Sequence, residues 1–401
     1  MTGAPTADEL VDQLVEAAVV ETGLDDFGDW AWRDGLDALA GSIVADAALN
    51  DAGRLILGSW AHDRLVNRLR VVDWWRAHPE VSAQPVRAPI VVAGMLRTGT
   101  TILLELLAQD PANRPLMKWE GLTSVPPPTA ATFDRDPRIA VEVEKQEAIY
   151  SMVPELKAVH WEPGDGPTEC VALLTQTFRA QDWHGLFRVP GYVEWFHDCD
   201  MGPAYAYHRA SLQLLQSAAP GRWVLKAPGH LLALDALFAT YPDARLVVTH
   251  RDPLETVPSS ISLSVTARPD SLTSAWSGSS GGRESESLGE YFARLWVDVL
   301  GLMVDRLGEF RDRRPDVTVH DLHYRDLVAD PVGAVAAIYA RWGDELTPEA
   351  AQRMHEYLDA HPQGRHGAHR YAVSDFGLDE GDVRDRFADY CERYDVLEPA
   401  R

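Results

Sequence analysis

Lysine is scarce in this chain. Only Lys118, Lys145, Lys157 and Lys226 accompany the arginines among 37 basic residues, a skew read as genome composition. Acidic residues number 61, so the net charge is −24. The lack of positive charge excludes nucleic acid and anionic membrane surfaces as general partners. Cysteine is also sparse: Cys170, Cys199 and Cys391 stand far apart with no CxxC spacing, which excludes a disulfide framework and a zinc site. No apolar run reaches the length of a membrane span. The opening residues are acidic and amphipathic rather than a secretory signal, so a soluble cytoplasmic protein is expected. At 46% hydrophobic and 24% charged, the chain can bury a large core. One α/β domain with a helical appendage, or two small domains, both suit its length.

Against a net negative background, a cation beside glycines is informative. Residues 89–110 read PIVVAGMLRTGTTILLELLAQD. Ile90 to Ala93 is a β-branched apolar run of the kind that forms a buried parallel strand. Gly94 to Gly99 is a turn, and Thr100 onward is a helix that runs to Pro111. Strand, glycine loop and helix make an anion cradle: loop amides converge, and the helix dipole favours negative charge. Gly94, four residues, Gly99 and Thr100-Thr101 copy a Walker A spacing with threonine in the lysine position. The cation present is Arg97, whose fork of donors suits a planar or tetrahedral oxyanion. The loop therefore reads as an anion site and not as a cradle for a metal-bound triphosphate.

Arg97-Thr98-Gly99-Thr100-Thr101 resembles the phosphosulfate loop of sulfotransferases that use 3'-phosphoadenosine 5'-phosphosulfate (PAPS), most closely the bacterial branch with Arg-Ser/Thr-Gly-Thr-Thr. A second block, residues 222–260, continues the resemblance. Trp223 to Leu225 is a strand closed by Lys226-Ala227-Pro228-Gly229; a helix follows from Leu231 to Tyr241; Arg245 to Thr249 is a strand ended by His250-Arg251-Asp252-Pro253. This βαβ unit predicts a parallel sheet, with Lys226 and Arg251 just past strand ends on the binding edge. Arg251 and Ser259 lie eight residues apart, the spacing by which the family holds the cofactor's 3'-phosphate. The competing reading of Arg251 is an ion pair with Asp252 or Glu255. A third block, Arg365-His366-Gly367, is similar to a late Arg-x-Gly turn that closes over the same phosphate, without the Asp-Trp-Lys that usually follows.

The fold expected is α/β: a central parallel sheet of P-loop/sulfotransferase type flanked by helices, with an N-terminal helical layer. Residues 1–85 form the helical region and 86–401 the sulfotransferase-like domain. Helical spacing covers residues 8–20, 36–48 and 55–75; this layer serves packing, caps the site or forms a dimer surface. The aromatic region 183–196 reads as core or as the wall of an apolar acceptor pocket. The Ser/Gly-rich stretch 267–288 reads as a lid. His250-Arg251-Asp252 and Asp375-Phe376-Gly377 spell kinase signatures, but their separation and the Val257 in the asparagine position make them coincidental.

The resemblance implies in-line sulfuryl transfer from PAPS to a hydroxyl or amine of a small, apolar or neutral acceptor, with no metal. Arg97, Thr98, Gly99, Thr100 and Thr101 would hold the 5' end, and Arg251, Ser259, Arg365 and Gly367 the 3'-phosphate. Lys226 or Thr101 would stabilise the bridging oxygen. A base must take the acceptor proton. Glu120, after the first helix, is preferred narrowly over His230, with His160 third. A small-molecule kinase of P-loop type, or a non-catalytic nucleotide-binding relative, are the alternatives.

Overall fold

The computed structural model describes residues 5–29, 31–46, 50–267, 287–362 and 371–397. The expected lid and the Arg365-x-Gly367 turn therefore fall mostly or wholly outside the described residues. Five strands form one parallel sheet: β1 (Ile90–Gly94), β2 (Asn113–Pro115), β3 (Arg222–Lys226), β4 (Arg245–His250) and β5 (Val319–His323), in the order β2-β3-β1-β4-β5. β1 is buried along its whole length. Its continuous β-branched run suits a central strand covered on both faces. Val91 pairs with Leu225 on one side and Leu246 on the other.

The chain leaves β1 toward β2 and returns past it to β4. The strand order reverses at β1 and β4, and the crevice above their carboxyl ends is where an open α/β sheet takes its ligand. Three helices precede the sheet: α1 (Ala7–Thr22), α2 (Trp32–Asp46) and α3 (Asp51–Ala77). α1 begins with a capping box between Thr6 and Glu9. Leu36, Leu39, Leu65 and Leu69 of this layer belong to the same apolar core as Val91 and Leu246 of the sheet. Trp183, Phe187, Tyr192 and Phe196 are buried in that core too. Among the described residues, no helix is long and apolar enough to cross a membrane.

Candidate active site

The loop after β1 is built by close approach. A β-carbon at Gly94 would sit 2.3 Å from Thr249 Oγ1 and 2.8 Å from Thr98 Oγ1, so only glycine passes there. Thr98 is fully buried; its hydroxyl donates to Met95 O at 2.6 Å and lies 2.6 Å from Thr249 Oγ1. Thr98 thus ties the loop to β4 and does not present its hydroxyl to a ligand. Arg97 and Gly99 take positive φ of 67° and 94°, the left-handed backbone of an amide nest. The helix α4 (Thr100–Ala108) starts directly after, with its first-turn amides unfilled by any side-chain cap.

Two arginines meet at this loop. Arg97 Nε donates to Ser259 Oγ at 3.1 Å, and Arg251 Nη1 donates to Arg97 O at 2.9 Å. Burial and the neighbouring Arg251 lower the Arg97 pKa from its ordinary value, while Tyr324 and Tyr371 oppose them. Like charges drawn together in a recess favour an anion between or beside them. The Arg251 guanidinium also stacks 4.1 Å from the Tyr324 ring centre. It pairs with Glu255 as well, through Nε at 2.6 Å. Of the two sequence readings of Arg251, the ion pair with Glu255 is present, and the same guanidinium also bonds the main chain of the loop at Arg97.

A second group of charges stands across from the arginines. Lys226 is nearly buried at the end of β3; its Nζ reaches Thr101 Oγ1 at 3.4 Å and is ion-paired with Glu169. Glu162 accepts from Lys118 Nζ at 2.7 Å and from Thr168 Oγ1 at 2.8 Å. Burial pushes the Glu162 pKa up, but Lys118 and His160 outweigh it and hold the value at about 2. Asp182 is open to solvent, yet protein crowds it, and Glu169 and Glu162 add negative charge. Its pKa rises to about 7, with Arg64 of α3 and Lys226 pulling the other way. His160 feels Arg97, Lys226 and Lys118 together; burial first, then these cations, depress it to about 4.

Glu120 does not join this group. It is wholly buried, its two oxygens accept from Arg114 Nη1 and Nη2 at 2.9 and 2.7 Å, and Oε1 also takes the Met117 N–H at 3.1 Å. Arg114 in turn stacks 4.0 Å from Trp223 and donates to Leu215 O and Ala219 O. The short helix after β2 turns Glu120 inward, where it neutralises a buried guanidinium. The preference for Glu120 as the base therefore has no geometry behind it. His230 is buried beside Tyr205, whose hydroxyl lies 2.7 Å from Nδ1, and burial drives its pKa to about 3. An imidazole that weak is a poor acceptor for a hydroxyl proton. Glu169, Asp182, Glu162 and Arg64 are the residues that sequence reasoning missed. Their only common sequence signal is a carboxylate or cation beside a glycine or proline turn, or on a helix of the first layer.

A family model described as the sulfotransferase family matches residues 89–348. The chain belongs to the sulfotransferase family. Sulfotransferase STF9 from Mycobacterium avium is 31% identical in sequence, with a TM-score of 0.88 over 100% of both chains. Sulfotransferase STF1 from Mycobacterium tuberculosis H37Rv is 32% identical, with a TM-score of 0.79, covering 94% of this chain and 98% of its own. Among curated proteins, the omega-hydroxy-beta-dihydromenaquinone-9 sulfotransferase Stf3 of Mycobacterium bovis is 25% identical over 341 residues, 83% of this chain and 81% of its own. This enzyme is therefore a sulfotransferase with PAPS as co-substrate, on the parallel α/β fold that the loop resemblance implied. The kinase alternative falls.

Proposed function

We propose that this sulfotransferase moves the sulfuryl group of PAPS onto a hydroxyl of an apolar small molecule, with Glu169 as the base. The observation that carries the assignment is the position of Lys226. One ammonium touches both Thr101, in the donor loop, and Glu169, on the facing wall. A group that links the two sides marks the line along which donor and acceptor meet.

The roles follow from charge. Arg97 and the loop amides hold the 5' end of the donor, and Arg251 with Ser259 holds the 3'-phosphate. The acceptor oxygen attacks sulfur, and the bond from sulfur to the 5'-phosphate oxygen breaks. The acceptor proton passes to Glu169. Negative charge gathers on the leaving phosphate oxygen, where the Lys226 ammonium stabilises it; positioning and charge stabilisation supply most of the rate. His160, kept neutral by burial first and the surrounding cations second, lines this space without carrying the proton. Arg365 and Gly367 remain candidates for the 3' end. The first 85 residues act as a helical region carried on the transferase domain, and α3 lends Arg64 to the acceptor side. The hydroxyl and the apolar acceptor are favoured by the Stf3 relative, a sulfotransferase of omega-hydroxy-beta-dihydromenaquinone-9.

Glu169→Gln tests the reading. It is close to isosteric and removes the charge that accepts a proton. Transfer to a long-chain primary alcohol should fall by about 10²–10⁴-fold. Calorimetry with 3'-phosphoadenosine 5'-phosphate should show binding retained. A glutamine variant that transfers at the wild-type rate removes Glu169 from the role.

A further inference from the structure

The end of β4 is gripped by a part of the chain far from it in sequence. His250 precedes Arg251 and is wholly buried. Its Nε2 lies 2.9 Å from Asp321 Oδ1 on β5, and its Nδ1 lies 3.1 Å from the Tyr390 hydroxyl in the helix Ala388–Arg393. The ring stacks on Tyr394 at 4.7 Å. Asp321 is held in turn by Arg311 at 2.7 and 2.9 Å.

Asp321 accepts, so Nε2 carries a proton, and in the tautomer with that ring proton alone Nδ1 is the acceptor. The Tyr390 O–H then donates to Nδ1. Carboxylate, imidazole and phenol form one unbroken chain, centred on the residue directly before the one whose guanidinium reaches the loop after β1. A fully satisfied buried network defines geometry more than it adds stability. The geometry defined here is the direction of residue 251.

We propose that His250 and Tyr390 are positioning residues for the donor: they fix the Arg251 backbone so that its side chain meets the 3'-phosphate, and they make the C-terminal helix a determinant of nucleotide selectivity. This rests on the Arg251 role given above. The network uses no residue of the acceptor side, so its loss should be felt in donor selection and not in transfer at saturation.

Tyr390→Phe removes the one hydroxyl and keeps the ring. Calorimetry on the full chain with 3'-phosphoadenosine 5'-phosphate and with adenosine 5'-monophosphate gives the selectivity for the 3'-phosphate. The bisphosphate should bind about tenfold more weakly, the scale of one unsatisfied buried group, while the monophosphate holds its affinity and kcat at saturating donor is kept. A lowered Tm with an unchanged ratio makes Tyr390 a stability residue and overturns the inference. Should the phenylalanine variant fail to fold, a second pair decides. Asp321→Asn keeps an acceptor for Nε2–H and should preserve the ratio, and Asp321→Ala should lose it; equal ratios in the two overturn the inference. Arg251→Ala separates the two layers of argument. If its selectivity survives, the Arg251 role fails and the inference fails with it. If selectivity is lost there but intact in Tyr390→Phe, the inference alone fails.

Discussion

The proposed donor side and the proposed acceptor side of this site are built by different means. The donor side is a main-chain structure: a glycine that only fits without a β-carbon, two residues at positive φ, a helix start, and arginines that brace one another. The acceptor side is a side-chain structure. Glu162, Glu169 and Asp182 come from loops and short helices, and Lys226 joins them from a strand end. A pocket made of backbone is rigid and takes one kind of ligand. A pocket made of side chains can be revised one residue at a time.

The largest effect should come from Glu120, which lies in neither side. Glu120→Ala leaves Arg114 buried and unpaired, and stability should fall by about 3–5 kcal/mol. Urea unfolding measures the loss. Activity per folded molecule should be close to wild type, and a dead but stable variant would move Glu120 into the acceptor side. Next in size is Arg97→Ala, which breaks the donor side. Binding of 3'-phosphoadenosine 5'-phosphate should weaken by about 1.5–3 kcal/mol, the scale of a charged hydrogen bond, read by calorimetry. Unchanged affinity in a folded variant would end the loop assignment.

Asp182 sharpens the comparison from the acceptor side. Its carboxyl binds a proton more tightly in the folded protein, at about 7, than at the ordinary 3.8. Folded protein therefore loses stability from this group as pH rises from about 4 to about 7, and no more beyond. Asp182→Asn lacks that loss. Its Tm advantage should grow across that window and then level off; a constant difference from pH 4 to 8 contradicts the shift. Smallest is Glu255→Gln. It frees Arg251 from an exposed pair and should tighten nucleotide binding by roughly 0.3–1 kcal/mol, with the gain fading at high salt. Weaker binding would mean that Glu255 orients Arg251 and does not compete for it.

The same contrast decides what could be read in advance. The turn after β1 was legible because its backbone demands particular residues at fixed spacing: Gly94, Arg97 and Gly99. The sheet was legible for a similar reason, since runs such as Ile90 to Ala93 must be buried on both faces. Thr98 escaped, because nothing in its neighbours says that its hydroxyl turns back to Met95 O. Glu120 misled because its place after a strand end was right, while its partner, Arg114, sits on that strand and claims both oxygens. Glu169 and Asp182 carry no spacing at all. They come together only in the fold, where Lys226 pairs with Glu169 and Asp182 lies close enough to feel both Glu169 and Glu162. Aromatic density at 183–196 was equally silent, since core and pocket wall call for the same residues.

The two arginines proposed to hold the donor lie in a body with a net charge of −24. An anionic nucleotide therefore approaches against a long-range field and is attracted only within the last few ångströms. Raising ionic strength shortens the reach of that repulsion before it weakens the recessed contacts. Donor capture should quicken at moderate salt, the reverse of an enzyme that steers its ligand in. The same field hastens departure of the spent bisphosphate once it leaves the recess. A cradle that grips at short range within a molecule that repels at long range limits the time lost to product inhibition.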